Sequence, residues 1–171
     1  MPTETKCRIL GIDPGLNITG YGVIDVTIEG LRVVEAGVVR GKSRGSLHER
    51  VRDIFEGVQD VVQSLKPTAM AIEELYSHYK RPKTAILMGH ARGVICLAGA
   101  LAEIPVLTYP STQIKRILTG AGRAPKNQMQ ESIRNELGLS AVPEPADVAD
   151  ALAVAICHYH LGERRNNKSE I

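Results

Sequence analysis

No run of about eighteen or more apolar residues occurs in the chain, so nothing in the sequence asks for a membrane span. The N-terminal "MPTETKC" is short and polar and leads straight into a strand pattern, which is not how a secretory signal is built. A cytoplasmic protein with no membrane partner is the expectation. Cysteine is scarce: Cys7, Cys96 and Cys157 are odd in number, far apart and without metal-type spacing. That pattern favours small buried hydrophobes in a reducing compartment over a redox role. Internal repeats and low-complexity linkers are also absent. Acids are nearly missing over one long stretch. From Leu75 to Arg134 only Glu103 and Glu131 face Lys80, Arg81, Lys83, Arg92, Lys115, Arg116, Arg123, Lys126 and Arg134. A net charge of +2 therefore conceals a basic face.

What is present fits one globular domain. The 171 residues are 43% hydrophobic and 23% charged, enough for a real core. The domain is expected over 1–162, with a frayed polar tail over 163–171. Ile/Val-rich runs bounded by glycine predict strands near 7–13, 19–27 and 31–40, with "IEGL" as the turn between the last two. A helical period over 46–65 puts Leu47, Val51, Ile54, Phe55, Val58, Val61 and Val62 on one face, and Pro67 stops it. "TAMAIEEL" (68–75) and "PVLTYP" (105–110) read as further strands. Helices are expected near 84–103, 111–118, 127–137 and 145–161. The pattern implies an α/β domain with a five-stranded mixed sheet.

Against that apolar background, three acidic sites stand out. The first strand ends on Asp13, just before Pro14 and Gly15, and the fourth ends on Glu73. In "VPEPADVADALAVAICHYH", Asp147 and Asp150 are three residues apart in the first turns of a helix and share a face. Each carboxylate has an ordinary explanation: Asp147 as a helix-dipole partner, Glu73 in a salt bridge, Asp13 as a turn former. Together they make a different case. If the first and fourth strands are neighbours, Asp13 and Glu73 emerge side by side, and pooled carboxylates repel unless a cation compensates them. Oxygen ligands with no His or Cys favour Mg²⁺, with Mn²⁺ as substitute, and such clusters commonly hold two ions on a phosphate.

The segments "GIDPGLNITGYGVI", "AIEELY", "GHARGV" and "ADVADALAVAICH", in this order over residues 8–160, together resemble the RuvC family of bacterial Holliday-junction resolvases. The resemblance implies a ribonuclease H-like fold with helices on both sheet faces, a homodimer, and Mg²⁺-dependent symmetric nicking of four-way junction DNA. The nicks would leave ligatable 5′-phosphate and 3′-hydroxyl ends, with two ions expected per subunit. The family's acidic tetrad falls on Asp13, Glu73, Asp147 and Asp150, as metal ligands and catalytic residues. Two family lysines implicated in DNA contact and catalysis fall on Lys115 and Lys126. Tyr76 stands where relatives commonly carry Phe. The family also implies cooperation with the RuvA–RuvB branch-migration complex, for which the sequence shows no docking site.

Physical reading extends the candidate DNA contacts. "LYSHYKRPKT" interleaves Tyr76 and Tyr79 with Lys80, Arg81 and Lys83, suiting unpaired bases and phosphates. "IKRILTGAGRAPKNQ" sets Lys115, Arg116, Arg123 and Lys126 around glycines that let phosphates approach. The helix "TAILMGHARGVICLAGALAEI" is apolar almost all round and is expected to be buried on most sides, with a two-fold dimer contact on its remaining face. His90 and Arg92 on it are given no chemistry, and His158 and His160 are expected to pack rather than ligate. Rival readings are an actin-like kinase, for which the chain is too short, a non-catalytic junction-binding module, and a related nuclease acting on RNA–DNA hybrids or ribosomal RNA.

Overall fold

In the computed structural model, residues 4–42, 44–74 and 81–168 are described, with 163–168 described by backbone alone. The Ile/Val runs form β1 (Thr5–Asp13), β2 (Ile18–Thr27) and β3 (Gly30–Arg40), an antiparallel meander. The turn between β2 and β3 is two residues, Ile28 and Glu29, locked by the Thr27 hydroxyl donating to the Gly30 carbonyl at 2.9 Å. Gly30 takes φ 127°, which only glycine adopts easily. On its other edge β1 pairs in parallel with β4 (Ala69–Glu73), and β4 with β5 (Val106–Tyr109). The sheet order is β3-β2-β1-β4-β5, mixed and five-stranded as expected.

Both sheet faces are covered, which is why β1 reads as a continuous apolar run rather than an alternation. On one face, α1 (Leu47–Leu65) and α2 (Pro82–Leu101) bury Leu10, Ile12, Val23 and Ile72 against Ile54, Val58 and Ile95. On the other, α3 (Ser111–Thr119), α4 (Lys126–Glu136) and α5 (Ala146–Lys168) bury Ile9, Ile24 and Ala71 against Ile114, Ile133, Leu152 and Ile156. Each fully buried Ile or Leu contributes about 1.5–3 kcal/mol. At its start α1 is fixed by Glu49, whose carboxylate accepts from the Ser46 N–H at 2.8 Å. It ends at Lys66 in a left-handed conformation, followed by Pro67. Asp25 is wholly buried on β2 and is held by Arg8 at 2.7 Å and Arg32 at 3.0 Å. Cys157 is buried, Cys7 and Cys96 half-buried, all three free, and burial pushes the Cys157 thiol up to about 12.

Helix α5 lies unusually close to β1 and β2 because glycines face it. A Cβ on Gly11 would come within 2.1 Å of the Ala151 carbonyl oxygen, and one on Gly20 within 2.1 Å of the Asp147 carbonyl oxygen. A Cβ on Gly22 would strike Leu152 at 2.5 Å. This seam carries the first turns of α5 down to the end of β1.

Two expectations need correction. Helix α2 is not buried on most sides: Ile86, Leu87, Leu97 and Leu101 are exposed, because only its Ala91, Ile95, Ala98 and Gly99 stripe meets the sheet and α1. By length and composition it could cross a membrane, at mean hydropathy 1.5, but Arg92 in its middle is bonded into the fold. Helix α5 also continues to Lys168, past the 161 predicted from the polar composition that follows.

Candidate active site

The strand register builds the site. Ile12 pairs with Ile72 across β1 and β4, and both point toward α1 and α2. One residue on, Asp13 and Glu73 therefore emerge side by side on the α5 face, on strands about 4.8 Å apart. The glycine seam then brings Asp147 and Asp150 over them: Gly20, the partner of Asp13 on β2, lies directly beneath the Asp147 main chain.

The electrostatics report how tightly the acids are pooled. Burial, and after it the charges of Glu73, Asp150 and Asp147, pushes the Asp13 carboxyl up to about 8. Glu73 is also raised, first by burial and then by Asp150, against a hydrogen bond from Ser111 and the charges of Lys115 and Arg92. Asp150 is raised by partial desolvation against the cleft wall and by Asp147, opposed by Lys126 and Lys115. It is the most open of the four, exposed to solvent while lining the cleft, so its field is partly screened. At neutral pH the pooled acids keep a proton on Asp13 unless a cation takes its place.

A cleft of about 260 Å³ opens beside them, lined by Glu73, Asp150, Ser111, Lys115 and Lys126 over an apolar floor of Ile114, Met129 and Ala153. Two lysines thus share one cavity with two carboxylates. Arg116 and Arg123 do not line it; Arg116 lies against the turn at Gly122, and Arg123 is exposed on the loop before α4. Arg81 and Lys83 are exposed at the start of α2. Tyr76, Tyr79 and Lys80 lie outside the described residues.

Among the described residues no three carboxylate, His or Cys side chains stand close enough to enclose one metal ion. The donor set still fits Mg²⁺. That ion takes oxygen ligands, keeps several of its waters, and is usually held by one or two carboxylates plus a substrate phosphate rather than by an all-protein cage.

The sequence matches the family model described as crossover junction endodeoxyribonuclease RuvC over residues 9–158. The chain belongs to the RuvC family. A RuvC relative from Rhodopirellula baltica is 52% identical over 160 residues, covering 94% of this chain and 89% of that protein. One from Desulforamulus reducens is 44% identical over 150 residues, covering 88% and 91%. RuvC of Thermus thermophilus superposes with TM-score 0.85 at 33% identity, over 92% of this chain and 96% of that one. Its complex with a Holliday junction substrate gives 0.87 at the same identity and coverage. The yeast mitochondrial Holliday junction resolvase shares the fold alone, at 12% identity and TM-score 0.69 over 99% of this chain and 86% of that one. The architecture is the ribonuclease H-like fold of the RuvC nucleases, as the sequence resemblance implied.

Sequence reasoning missed two residues at this site. Arg92, given no role, donates from its guanidinium to the main-chain carbonyl of Glu73 and ties α2 to the end of β4. Ser111, at the start of α3, hydrogen-bonds the Glu73 carboxylate. Neither has a sequence signature. His158 and His160 pack as expected: the first meets the Tyr109 hydroxyl at 2.7 Å, the second pairs with Glu136.

Proposed function

We propose that this protein is a metal-dependent endonuclease that resolves four-way DNA junctions by paired nicks, working as a homodimer. Family membership supports the substrate class, and the superposition on Thermus thermophilus RuvC in complex with a Holliday junction supports the use of the same face. The observation that carries the chemistry is the pooling of Asp13, Glu73, Asp147 and Asp150 beside Lys115 and Lys126, with Asp13 driven up to about 8 by burial and then by its acidic neighbours.

Asp13, Glu73, Asp147 and Asp150 are the residues that would hold Mg²⁺, two ions per subunit being the number this many carboxylates suit. Bound there, the metal supplies Lewis acidity, neutralising charge on the scissile phosphate and lowering the pKa of the attacking water. The chain's own groups do the rest. Ser111 and Arg92 hold Glu73 from its side-chain and main-chain ends and so orient that carboxylate. Lys126, opposite Asp150, faces where charge develops on the phosphate or leaving oxygen, and Lys115 holds a neighbouring phosphate. The expected products are 5′-phosphate and 3′-hydroxyl ends. Tyr76, Lys80, Arg81, Lys83, Arg116 and Arg123 are assigned to outer DNA contacts.

The dimer follows from α2. Its exposed Ile86, Leu97 and Leu101 fall on one stripe with Gly89 and Gly93, where an added Cβ would meet nothing. Mid-helix glycine is destabilising by about 1 kcal/mol relative to alanine, so two in a free surface bring no benefit unless another backbone packs there. An identical helix across a two-fold axis satisfies this stripe and pairs two sites.

The deciding assay offers a synthetic junction with a short homologous centre, with Mg²⁺, to the wild type and to Asp13→Asn. Paired nicks from the wild type and binding without nicks from the variant are expected. Tight binding with no cleavage by the wild type on several junction sequences would instead favour a binding module or another nucleic acid.

A further inference from the structure

The cationic residues discussed so far all come from the α2–α4 side of the carboxylates. The strand register places a second set on the opposite flank. Asp13 pairs with Gly20 on β2, and Gly20 with Val38 on β3, so the three lie in one row across the sheet. Val38 packs with the α5-side core and Val39 with the α1-side core, so Arg40, two residues past Val38, shares the face of Asp13. At about 4.8 Å per strand and 3.4 Å per residue, the Arg40 Cα lies roughly 12 Å from that of Asp13. That distance corresponds to about three to four nucleotide steps measured along a duplex axis.

The segment that carries Arg40 and Lys42 is held rigidly. The Gly41 N–H donates to the Asn17 carbonyl at 2.9 Å, just past Asp13 in the chain. Arg50 of α1 donates to the Asn17 side chain, and the Lys42 N–H donates to Asp53 at 3.1 Å. A Cβ on Gly41 would come within 2.3 Å of the Leu16 carbonyl oxygen, so the two loops are in backbone contact. Arg40 and Lys42 are exposed. Among the described residues neither enters an ion pair, though Glu49 lies within the field of Lys42.

We infer that Arg40 and Lys42 form a second phosphate-binding shelf, which holds the DNA backbone on the side of the cut away from Lys115 and Lys126. This rests on the reading of the site as a junction nuclease. The carboxylates then lie between two cationic walls, and a strand is gripped on both sides of the bond to be broken. The contact is to phosphates and carries no base preference.

The test measures junction binding by the full-length protein across a range of salt, for the wild type and Arg40→Ala/Lys42→Ala. Lys66→Gln, at the far end of α1, serves as the charge-loss control, and thermal melting checks each fold. Losing two phosphate contacts should flatten the slope of log affinity on log salt by about 2, and weaken binding roughly tens-fold near 0.1 M salt. Lys66→Gln should leave the slope as it is. An unchanged slope in the double variant, or an equal fall in Lys66→Gln, overturns the shelf while junction cleavage by the wild type keeps the nuclease reading standing. If the wild type neither binds nor cuts junctions, the nuclease reading falls and takes the shelf with it.

Discussion

Asp13 is a residue whose proposed task and whose stability oppose each other. Its carboxyl is raised to about 8 by burial and by its acidic neighbours, so the folded state binds that proton more tightly than the unfolded chain does. Its contribution to stability is fully present below the unfolded value near ~4 and is lost as pH rises through about 8. Asp13→Asn should therefore raise the melting temperature of metal-free protein at pH 8, by roughly 3–6 °C for about 1–2 kcal/mol regained. Little gain is expected at pH 4. The same change should slow junction cleavage by roughly 10²–10³-fold, the equivalent of several kcal/mol of lost charge stabilisation. Asp25 has the reverse sign. The hydrogen bond from Arg8, foremost, holds its carboxyl below the usual range, so its contribution is present above pH ~4 and lost as pH falls through the depressed folded value. Arg8→Ala leaves a buried carboxylate with Arg32 and should lose about 2 kcal/mol in denaturant titrations at pH 7, a deficit that narrows in acid. Asp13 was legible in the sequence because a charge ended a run that had every reason to stay apolar. Arg92 was not, because its acceptor is a main-chain carbonyl, which every residue has.

At the scale of elements, the chemistry depends on how closely one helix sits on two strands. Gly11, Gly20 and Gly22 read in sequence as ordinary interruptions of β strands; only the packing of α5 shows that they clear its path. Gly20 and Gly22, two apart, share a face, which is the one sign the sequence offered. Gly20→Ala should push the Asp147 turn outward by an ångström or more. The expected outcome is about a 10²-fold loss of cleavage rate under saturating metal, with a stability loss of only about 1–3 kcal/mol. Single-turnover kinetics and melting of the same variant separate the two effects. The elements themselves were mostly legible, since period two and period 3.6 are distinct in β1–β3 and α1. The proposed shelf was hidden for a different reason: Arg40 is 27 residues from Asp13 in sequence, and only the strand order brings it to the same face, two strands away.

At the scale of the whole molecule, the misread element is α2. Apolar residues all round a helix say that it must be covered, but one sequence does not say by what. Half of the helix is covered by the sheet and α1; the other half is the exposed stripe from Ile86 to Leu101. Leu97→Glu, at an exposed position, should leave the fold intact and shift sedimentation from dimer to monomer at micromolar concentration, with paired nicks giving way to slow single nicks. A variant that remains dimeric would remove α2 from the interface. The bare seam beneath α5 has one more consequence, which concerns descent rather than chemistry. Because backbone rests on backbone there, α5 and the β1–β2 pair can drift only as a matched set. Exchanging α5 alone between relatives should yield folded but inactive hybrids, and exchanging it together with β1 and β2 should yield working ones.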